Sequence, residues 1–228
     1  MPVVFRLGDD MKLTTALLLA LSLGLVHSTA SANLLANPGF EDPITVDGPP
    51  FVGIWQAFSF DGDQTTGGDV ARNSTLMPRT GSQSLEVGIF GVNNSFAGVF
   101  QDVAGLVAGQ TVSYDGWHKR GGTASDIEFR IEWRDSVSNT EVSRTPNSTP
   151  TPGNTYESFS LGSVVPAGAD TARVVYSIQS FGGVTDQQVF VDDVSFTADA
   201  IVTPAPATLG LLGLGGAMLF LRRRRRIS

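Results

Sequence analysis

The chain has 228 residues, of which 41% are hydrophobic and 16% charged, enough for one domain with a hydrophobic core plus targeting segments. It contains no cysteine, which excludes a disulfide framework, a thiolate metal site and thiol catalysis. Residues 33–203 carry 8 basic and 20 acidic side chains, a formal charge of −12, and because so acidic a surface repels phosphates we expect no nucleic-acid partner.

A secretory signal peptide is the first element predicted along the chain. Met11-Lys12 is followed by an apolar run from Leu13 to Val26 and by Ala30-Ser31-Ala32, the order of n-region, h-region and cleavage site in such a signal. Asp9-Asp10 would place negative charge in the n-region, so we expect translation to start at Met11. Residues 1–32 are therefore predicted to be a signal helix that is removed after Ala32; a buried core helix is the alternative.

Residues 33–198 are predicted to form one all-β domain, an antiparallel β-sandwich. The 26 Gly and 12 Pro against 2 Lys favour turns and short strands over surface helices. The clearest strand is 126–135, where polar residues alternate with inward-pointing Ile127, Phe129, Ile131 and Trp133. We predict nine strands, near residues 34–41, 51–60, 84–90, 96–103, 110–119, 126–135, 156–161, 171–180 and 187–197, and a loop at 143–155.

Four segments in this region resemble the galactose-binding-like jelly rolls of many carbohydrate-binding modules. They are the opening Asn33–Glu41, Gly81–Val87, the Phe100–Val103 segment that leads on to Val112–Trp117, and the closing Phe190–Phe196. The resemblance covers about residues 33–198. It implies a jelly-roll fold and, as an analogy between folds, a carbohydrate ligand.

The same resemblance implies a structural Ca²⁺ ion between the first strand and the closing strand. The matching residues are Glu41 and Asp192 or Asp193. Ca²⁺ takes six to eight oxygen ligands, and it would relieve repulsion between carboxylates brought together from neighbouring strands. The alternative is that these carboxylates cap turns or face solvent.

Aromatic side chains are the candidates for stacking against a sugar ring. We predict Trp55, Trp117 and Tyr156 as ligand-binding residues, and Trp55 as the best exposed of them because it lies near the Gly- and Asp-rich loop 61–69. Trp133 is a further candidate. Core packing is the alternative for each ring.

Little in the sequence favours catalysis. Once the signal peptide is removed, His118 is the only histidine, and no G-x-S-x-G motif accompanies it. Glycoside hydrolysis uses a pair of carboxylates. Because this chain has many acidic residues, the presence of such a pair would not indicate hydrolysis. We expect no catalytic residue and no enzyme activity.

The C-terminal segment is predicted to sort and anchor the protein. Residues 199–206 form a linker that ends in Pro204-Ala205-Pro206, residues 207–221 are apolar, and residues 222–228 begin with Arg222, Arg223, Arg224, Arg225 and Arg226. Fifteen helical residues span about 22 Å, which is shorter than the roughly 30 Å hydrocarbon core of a bilayer. We therefore predict a short transmembrane helix. The arginines stop transfer and stay cytoplasmic.

This tripartite order resembles the PEP-CTERM sorting signal of Gram-negative bacteria, with Ala205 where that family usually has Glu. The resemblance implies export, an exosortase-type processing enzyme as partner, and transient anchoring in the inner membrane. The protein would then be transferred to the cell surface or extracellular matrix.

The leading functional hypothesis is a non-catalytic carbohydrate-binding protein linked to exopolysaccharide. The alternatives are a structural or adhesive matrix protein that binds no sugar, and a glycan hydrolase.

Overall fold

The structure, a computed structural model, describes residues 31–62 and 68–200. The chain divides into two units, Met1–Ser31 and Ala32–Ser228, and the fold described below belongs to the second. Most of the predicted signal peptide, the sorting motif Pro204-Ala205-Pro206, the apolar segment 207–221 and the arginine cluster 222–226 lie outside the described residues. Within 31–62 and 68–200, no helix is long and apolar enough to cross a membrane.

The described domain is all-β, as predicted. Its strands in chain order are β1 (Gln56–Ser59), β2 (Asp69–Ser74), β3 (Ser84–Phe90), β4 (Phe96–Ala104), β5 (Thr111–Arg120), β6 (Ile127–Asp135), β7 (Thr140–Arg144), β8 (Glu157–Val164), β9 (Thr171–Gln179) and β10 (Asp186–Ala198).

Two five-stranded antiparallel sheets form the sandwich. Sheet A has the order β1-β4-β9-β6-β7 and sheet B the order β2-β3-β10-β5-β8. Because side chains alternate between the two faces of a strand, each sheet contributes every second residue to a shared core and turns the others outward. On β6 the four predicted inward residues Ile127, Phe129, Ile131 and Trp133 are all buried, at most 3% exposed.

The predicted strand at 34–41 is wrong. Asn37 and Phe40 adopt φ values of 47° and 55°, which a continuous strand does not allow. The segment finds its hydrogen bonds elsewhere: Leu34 N donates to the Phe196 carbonyl at 2.8 Å, and the buried Gln101 carboxamide pairs with the backbone N and O of Ala36. A turn therefore lies where the sequence predicted a strand.

Two strands were missed by the sequence analysis. All five residues of β7 are exposed, so no apolar alternation marks it, and its last residues fall in the segment predicted as a loop. Strand β2 reads Asp-Val-Ala-Arg-Asn-Ser and is also too polar to be recognised from its pattern. Pairing with β6 and β3 supplies the order that their own sequences do not predict.

His118 lies in the core on β5 and makes the domain sensitive to acid. Its Nδ1 is 2.7 Å from the Tyr176 hydroxyl, and burial lowers the pKa of His118 to about 4, against a smaller opposing effect of Glu157. The unfolded chain therefore takes up a proton near pH 6.5, whereas the folded domain does not until about pH 4. Stability is full above pH 6.5 and is lost as the pH falls through this window.

We expect the free energy of unfolding to decrease by up to about 3 kcal/mol across that window because of His118. Urea titrations of the full-length chain and of His118→Gln at several pH values measure the effect. The decrease should be clearly smaller in the variant, which has no imidazole to protonate. If the free energy of unfolding depends on pH in the same way in both proteins, His118 is not the group responsible for the loss of stability.

Candidate functional site

The outer face of sheet A combines aromatic and charged side chains in adjacent rows. Strand register places the following residues side by side across the strands: Phe58, Gly98, Ser177 and Glu128 in one row; Phe100, Val175 and Arg130 in the next; and Asp102, Arg173 and Glu132 in the third. An ordinary solvated sheet face carries scattered polar residues. Here several aromatic rings occupy outward positions of the edge strand β1 and of its neighbour β4.

A pocket of about 220 Å³ opens at one end of this face. We call it the aromatic pocket; it is lined by Phe58, Phe96, Phe181, Glu128, Arg130, Ser177 and Gln179. The ring of Phe96 lies centrally, with centroids 6.0 Å from Phe58 and 6.5 Å from Phe181. Phe60 packs edge-on against Phe96 at 5.7 Å. Phe60 and Phe181 remain 64% and 55% exposed, so the rings offer apolar surface to a ligand.

Gln179 contributes an uncharged polar group to the aromatic pocket. It ends β9 with its side chain on the outer face, in register with Phe96. Its backbone bonds to Asp126 and Gln187, but its carboxamide has no hydrogen-bond partner among the described residues. One donor and one acceptor group are therefore free beside the phenylalanine rings.

The charged residues beside the pocket are paired with one another. Arg130 bonds to Glu128 on one side and, through Nε, to Glu132 at 2.8 Å on the other. Glu128 also accepts hydrogen bonds from Ser177 and Asn147. The Glu128, Arg130 and Glu132 side chains are only 9–14% exposed, so this network is a packed and fixed part of the face.

A second ion pair occupies the middle of the face. Arg173 donates two hydrogen bonds to Asp102, at 2.7 and 3.0 Å, which is the bidentate geometry favoured by a guanidinium and a carboxylate. Its guanidinium lies 4.1 Å from the ring centroid of Phe100 and 4.9 Å from that of Phe51. Beyond it, a larger hollow of about 320 Å³ is lined by residues that include Phe51, Asp102 and Arg134.

Trp55, predicted to be the best exposed ring, is buried. It is 2% exposed, its indole Nε1 donates to the Asn37 carbonyl at 3.1 Å, and its ring packs against Phe40 with centroids 5.1 Å apart. The turn at residues 37–40 covers the indole and satisfies its only donor. Trp55 is therefore a core residue, and the prediction that it presents a ring to a sugar is wrong.

Trp117 and Tyr156 lie on the outer side of sheet B, where both hold the loop between β2 and β3. The Arg79 guanidinium covers one face of Trp117 at 3.9 Å. Burial raises the pKa of Tyr156 to about 12, and its hydroxyl donates to the Met77 carbonyl at 2.5 Å. The structure brings these two predicted residues to one loop but away from the aromatic pocket. Their role in ligand binding stays a prediction.

The three carboxylates predicted for Ca²⁺ bind the same loop. Asp192 accepts from the backbone N–H groups of Arg79 and Thr80, and Glu41 accepts from Ser82 and Gln83. Burial raises the pKa of Asp192 against these hydrogen bonds. Asp193 pairs with the Arg79 side chain. In the described part of the chain, no group of three or more acidic or histidine side chains could hold a metal. A Ca²⁺ ion between Glu41 and either aspartate stays a prediction.

Sequence reasoning missed the aromatic pocket for an identifiable reason. Its rings come from the ends of β1 and β4 and from the turn after β9, which are far apart in sequence and adjacent only through the pairing of β4 with β1 and β9. The alternation of Glu128, Arg130, Glu132 and Arg134 was interpreted as a solvated face. These side chains point outward, as predicted. The phenylalanine rings that form a pocket with Glu128 and Arg130 could not be predicted from the sequence of β6.

No family model and no curated protein matches this chain, but solved structures do. The xylan-binding domain CBM22-1 of Paenibacillus barcinonensis Xyn10C matches with a TM-score of 0.51 and 16% identity, over 75% of this chain and 97% of that domain. The Stig cyclase Fisc of Fischerella sp. TAU matches with a TM-score of 0.53 and 16% identity, over 75% and 98%.

The enzymatically active domain of tailspike protein 4 from bacteriophage CBA120 matches with a TM-score of 0.55 and 15% identity over 73% of this chain, which spans only 21% of that protein. At these identities the likeness shows the fold alone. The same fold occurs in sugar-binding modules and in enzymes, so it does not decide activity. The described domain is a jelly-roll β-sandwich like those of carbohydrate-binding modules.

Proposed function

We propose that this domain binds a polysaccharide on the outer face of sheet A without cleaving it. The observation that carries the proposal is the aromatic pocket, where the rings of Phe96 and Phe181 adjoin the unpaired carboxamide of Gln179. A sugar ring has apolar C–H faces that pack on aromatic rings and hydroxyls that need hydrogen-bond partners at its edge. The pocket supplies both within one small space.

Two further points support the proposal. The xylan-binding domain named above shares the fold over nearly its whole length, so the scaffold is suited to this function. The histidine that could act as a general base, His118, is 1% exposed and is held neutral by its lowered pKa. It lies inside the sandwich and not on the outer face.

We place this binding activity in an exported protein. The signal-type segment before residue 33 and the PEP-CTERM-like segment after residue 203 support a route across the inner membrane, processing by an exosortase-type enzyme and delivery to the cell surface or matrix. The polysaccharide would then be the exopolysaccharide that surrounds the cell.

The experiment is a glycan array probed with the full-length chain and with Gln179→Ala. We expect binding to at least one polysaccharide, and its loss in the variant. If the folded chain binds no glycan, the adhesive or structural hypothesis is favoured. Release of soluble sugar from a bound glycan would instead show hydrolysis and would refute the non-catalytic part of the proposal.

For Ca²⁺, we propose a reduced set of protein ligands, Glu41 and Asp192, completed by backbone carbonyls and water. Glu41 and Asp192 both lie against Gly39, and each accepts hydrogen bonds from backbone N–H groups of the loop at residues 79–83. Asp193, in contrast, is neutralised by Arg79. Burial disfavours the charged form of Asp192 and so raises its pKa. A cation there would stabilise the charged carboxylate.

Added Ca²⁺ is expected to raise the melting temperature of the full-length chain, and chelation to reverse the shift, because only the folded state binds the ion. Differential scanning calorimetry measures it. The shift should vanish in Glu41→Gln and persist in Asp42→Asn, its exposed neighbour. A melting temperature indifferent to Ca²⁺ would show that hydrogen bonds and the Arg79 ion pair hold this loop without metal.

A further inference from the structure

We propose that the polysaccharide bound by the outer face of sheet A is uncharged. This inference rests on the proposed function and specifies its ligand class. It is argued from three features of the face: the balance of its charges, the pairing of its arginines, and the neutrality of the Gln179 carboxamide, which has no hydrogen-bond partner among the described residues.

The strands of sheet A carry an electrically balanced outer face on an acidic domain. Of the 8 basic and 20 acidic residues in 33–203, the outward positions of these strands hold four of each. They are Arg130, Arg134, Arg144 and Arg173, with Asp102, Glu128, Glu132 and Glu141. The remainder of that segment carries 4 basic and 16 acidic residues. A polyanion is therefore repelled by the domain as a whole and meets no compensating positive patch on this face.

None of the four arginines is free to receive an acidic sugar. Arg173 forms its two bonds to Asp102, and Arg130 lies between Glu128 and Glu132. The carboxylate of a uronic acid could bind such a guanidinium only by displacing a carboxylate that would then be left unpaired on a largely buried face. Leaving a buried charge without a partner is strongly unfavourable.

The other two arginines are paired in the same way at the β6–β7 edge. Arg144 donates to both carboxylate oxygens of Glu141 at 2.6 Å and lies 3.8 Å from Glu132. Arg134 lies 3.9 Å from Glu132 and donates to the Asn139 carbonyl. Glu132 is thus shared by three guanidinium groups, and the positive charge of this edge is compensated within the protein.

The free polar group of the aromatic pocket is neutral. Gln179 offers both a donor and an acceptor, which matches a hydroxyl group, itself a donor and an acceptor. A carboxylate or sulfate has only acceptors, so it could accept from the NH₂ group of Gln179 but would leave the carboxamide oxygen without a donor and would lie beside the carboxylate of Glu128. The pocket therefore selects for hydroxyls over anionic substituents.

Affinity electrophoresis of the full-length chain tests the inference, with xylan and β-glucan as neutral probes and alginate and polygalacturonate as acidic ones, at low and high salt. We expect retardation by a neutral polymer, changed less than about twofold by salt because no net charge is neutralised. We expect none by either acidic polymer.

The outcomes separate this inference from the proposed function. Retardation by an acidic polymer that salt abolishes, and that is lost in Gln179→Ala, would overturn the uncharged ligand and leave polysaccharide binding on this face intact. No retardation by any polymer, with the fold confirmed by circular dichroism, would overturn both.

A charge variant tests the pairing argument directly. Glu141→Gln removes the main partner of Arg144, whose side chain is 48% exposed, and leaves an accessible guanidinium whose remaining partner, Glu132 at 3.8 Å, is shared with Arg130 and Arg134. We expect this variant to gain salt-sensitive retardation by polygalacturonate. If it gains none while remaining folded, pairing of the arginines is not what excludes acidic ligands.

Discussion

Replacing Phe181 with alanine should weaken polysaccharide binding at least about fivefold, since an aromatic anchor in a binding site commonly contributes more than about 1 kcal/mol. The ring is 55% exposed and contacts Phe96 at the rim of the aromatic pocket. Truncation removes apolar surface that a sugar ring would cover, but little of the core. Isothermal titration calorimetry with the polysaccharide found on the array measures the loss, and the melting temperature should be nearly unchanged.

Phe90→Ala is the matched control for this variant. Phe90 is also a large exposed ring, 41% exposed, but it ends β3 in sheet B and lines a different hollow with Gly122 and Gln188. Its truncation should leave the affinity within about twofold of the starting protein. Equal losses in both variants would mean that binding depends on general surface hydrophobicity, and an unchanged affinity in Phe181→Ala would exclude the aromatic pocket as the site.

Phe159→Ala should cost the domain about 3–5 kcal/mol of folding free energy, the usual range for removing a buried phenylalanine ring. Phe159 lies between four other rings, with centroids 4.6 Å from Phe129, 5.2 Å from His118, 5.5 Å from Tyr176 and 5.6 Å from Tyr114. The other residues of the edge strand β8 are exposed or half-buried. The ring therefore also fixes β8 to the sandwich.

Urea denaturation followed by tryptophan fluorescence measures this loss. Ser160→Ala, at the next and exposed position of β8, is the control and should change the free energy of unfolding by less than about 0.5 kcal/mol. A loss below about 1 kcal/mol in Phe159→Ala would show that the aromatic cluster rearranges to fill the cavity, or that β8 contributes little to the cooperative unit.

Strands with an apolar face were predictable from the sequence, and those without one were not. β3, β4, β5, β6, β9 and β10 were each predicted to within about two residues, since every one of them carries several buried apolar side chains. The turn at residues 37–40 was mistaken for a strand because its apolar residues are buried by a folded-back backbone. Periodicity reports burial, and burial does not require a strand.

The candidate site depended on contacts between residues distant in sequence. That Trp133 belongs to the core followed from the alternation of β6, but the burial of Trp55 follows from a hydrogen bond to Asn37 and a contact with Phe40 that no local pattern contains. Likewise, nothing in the segments around Phe96 and Phe181 indicates that the two rings meet. Sheet order brings them together.

The amino-acid sequence alone was sufficient for the all-β class, for most of the strands and for the acidic balance of the domain, because composition and two-residue alternation are local properties. Only the tertiary structure decided which aromatic rings are free, which carboxylates are already paired and where apolar and polar groups converge. Those properties depend on the order and register of strands in two sheets, and the register is set by cooperative packing of the whole sandwich.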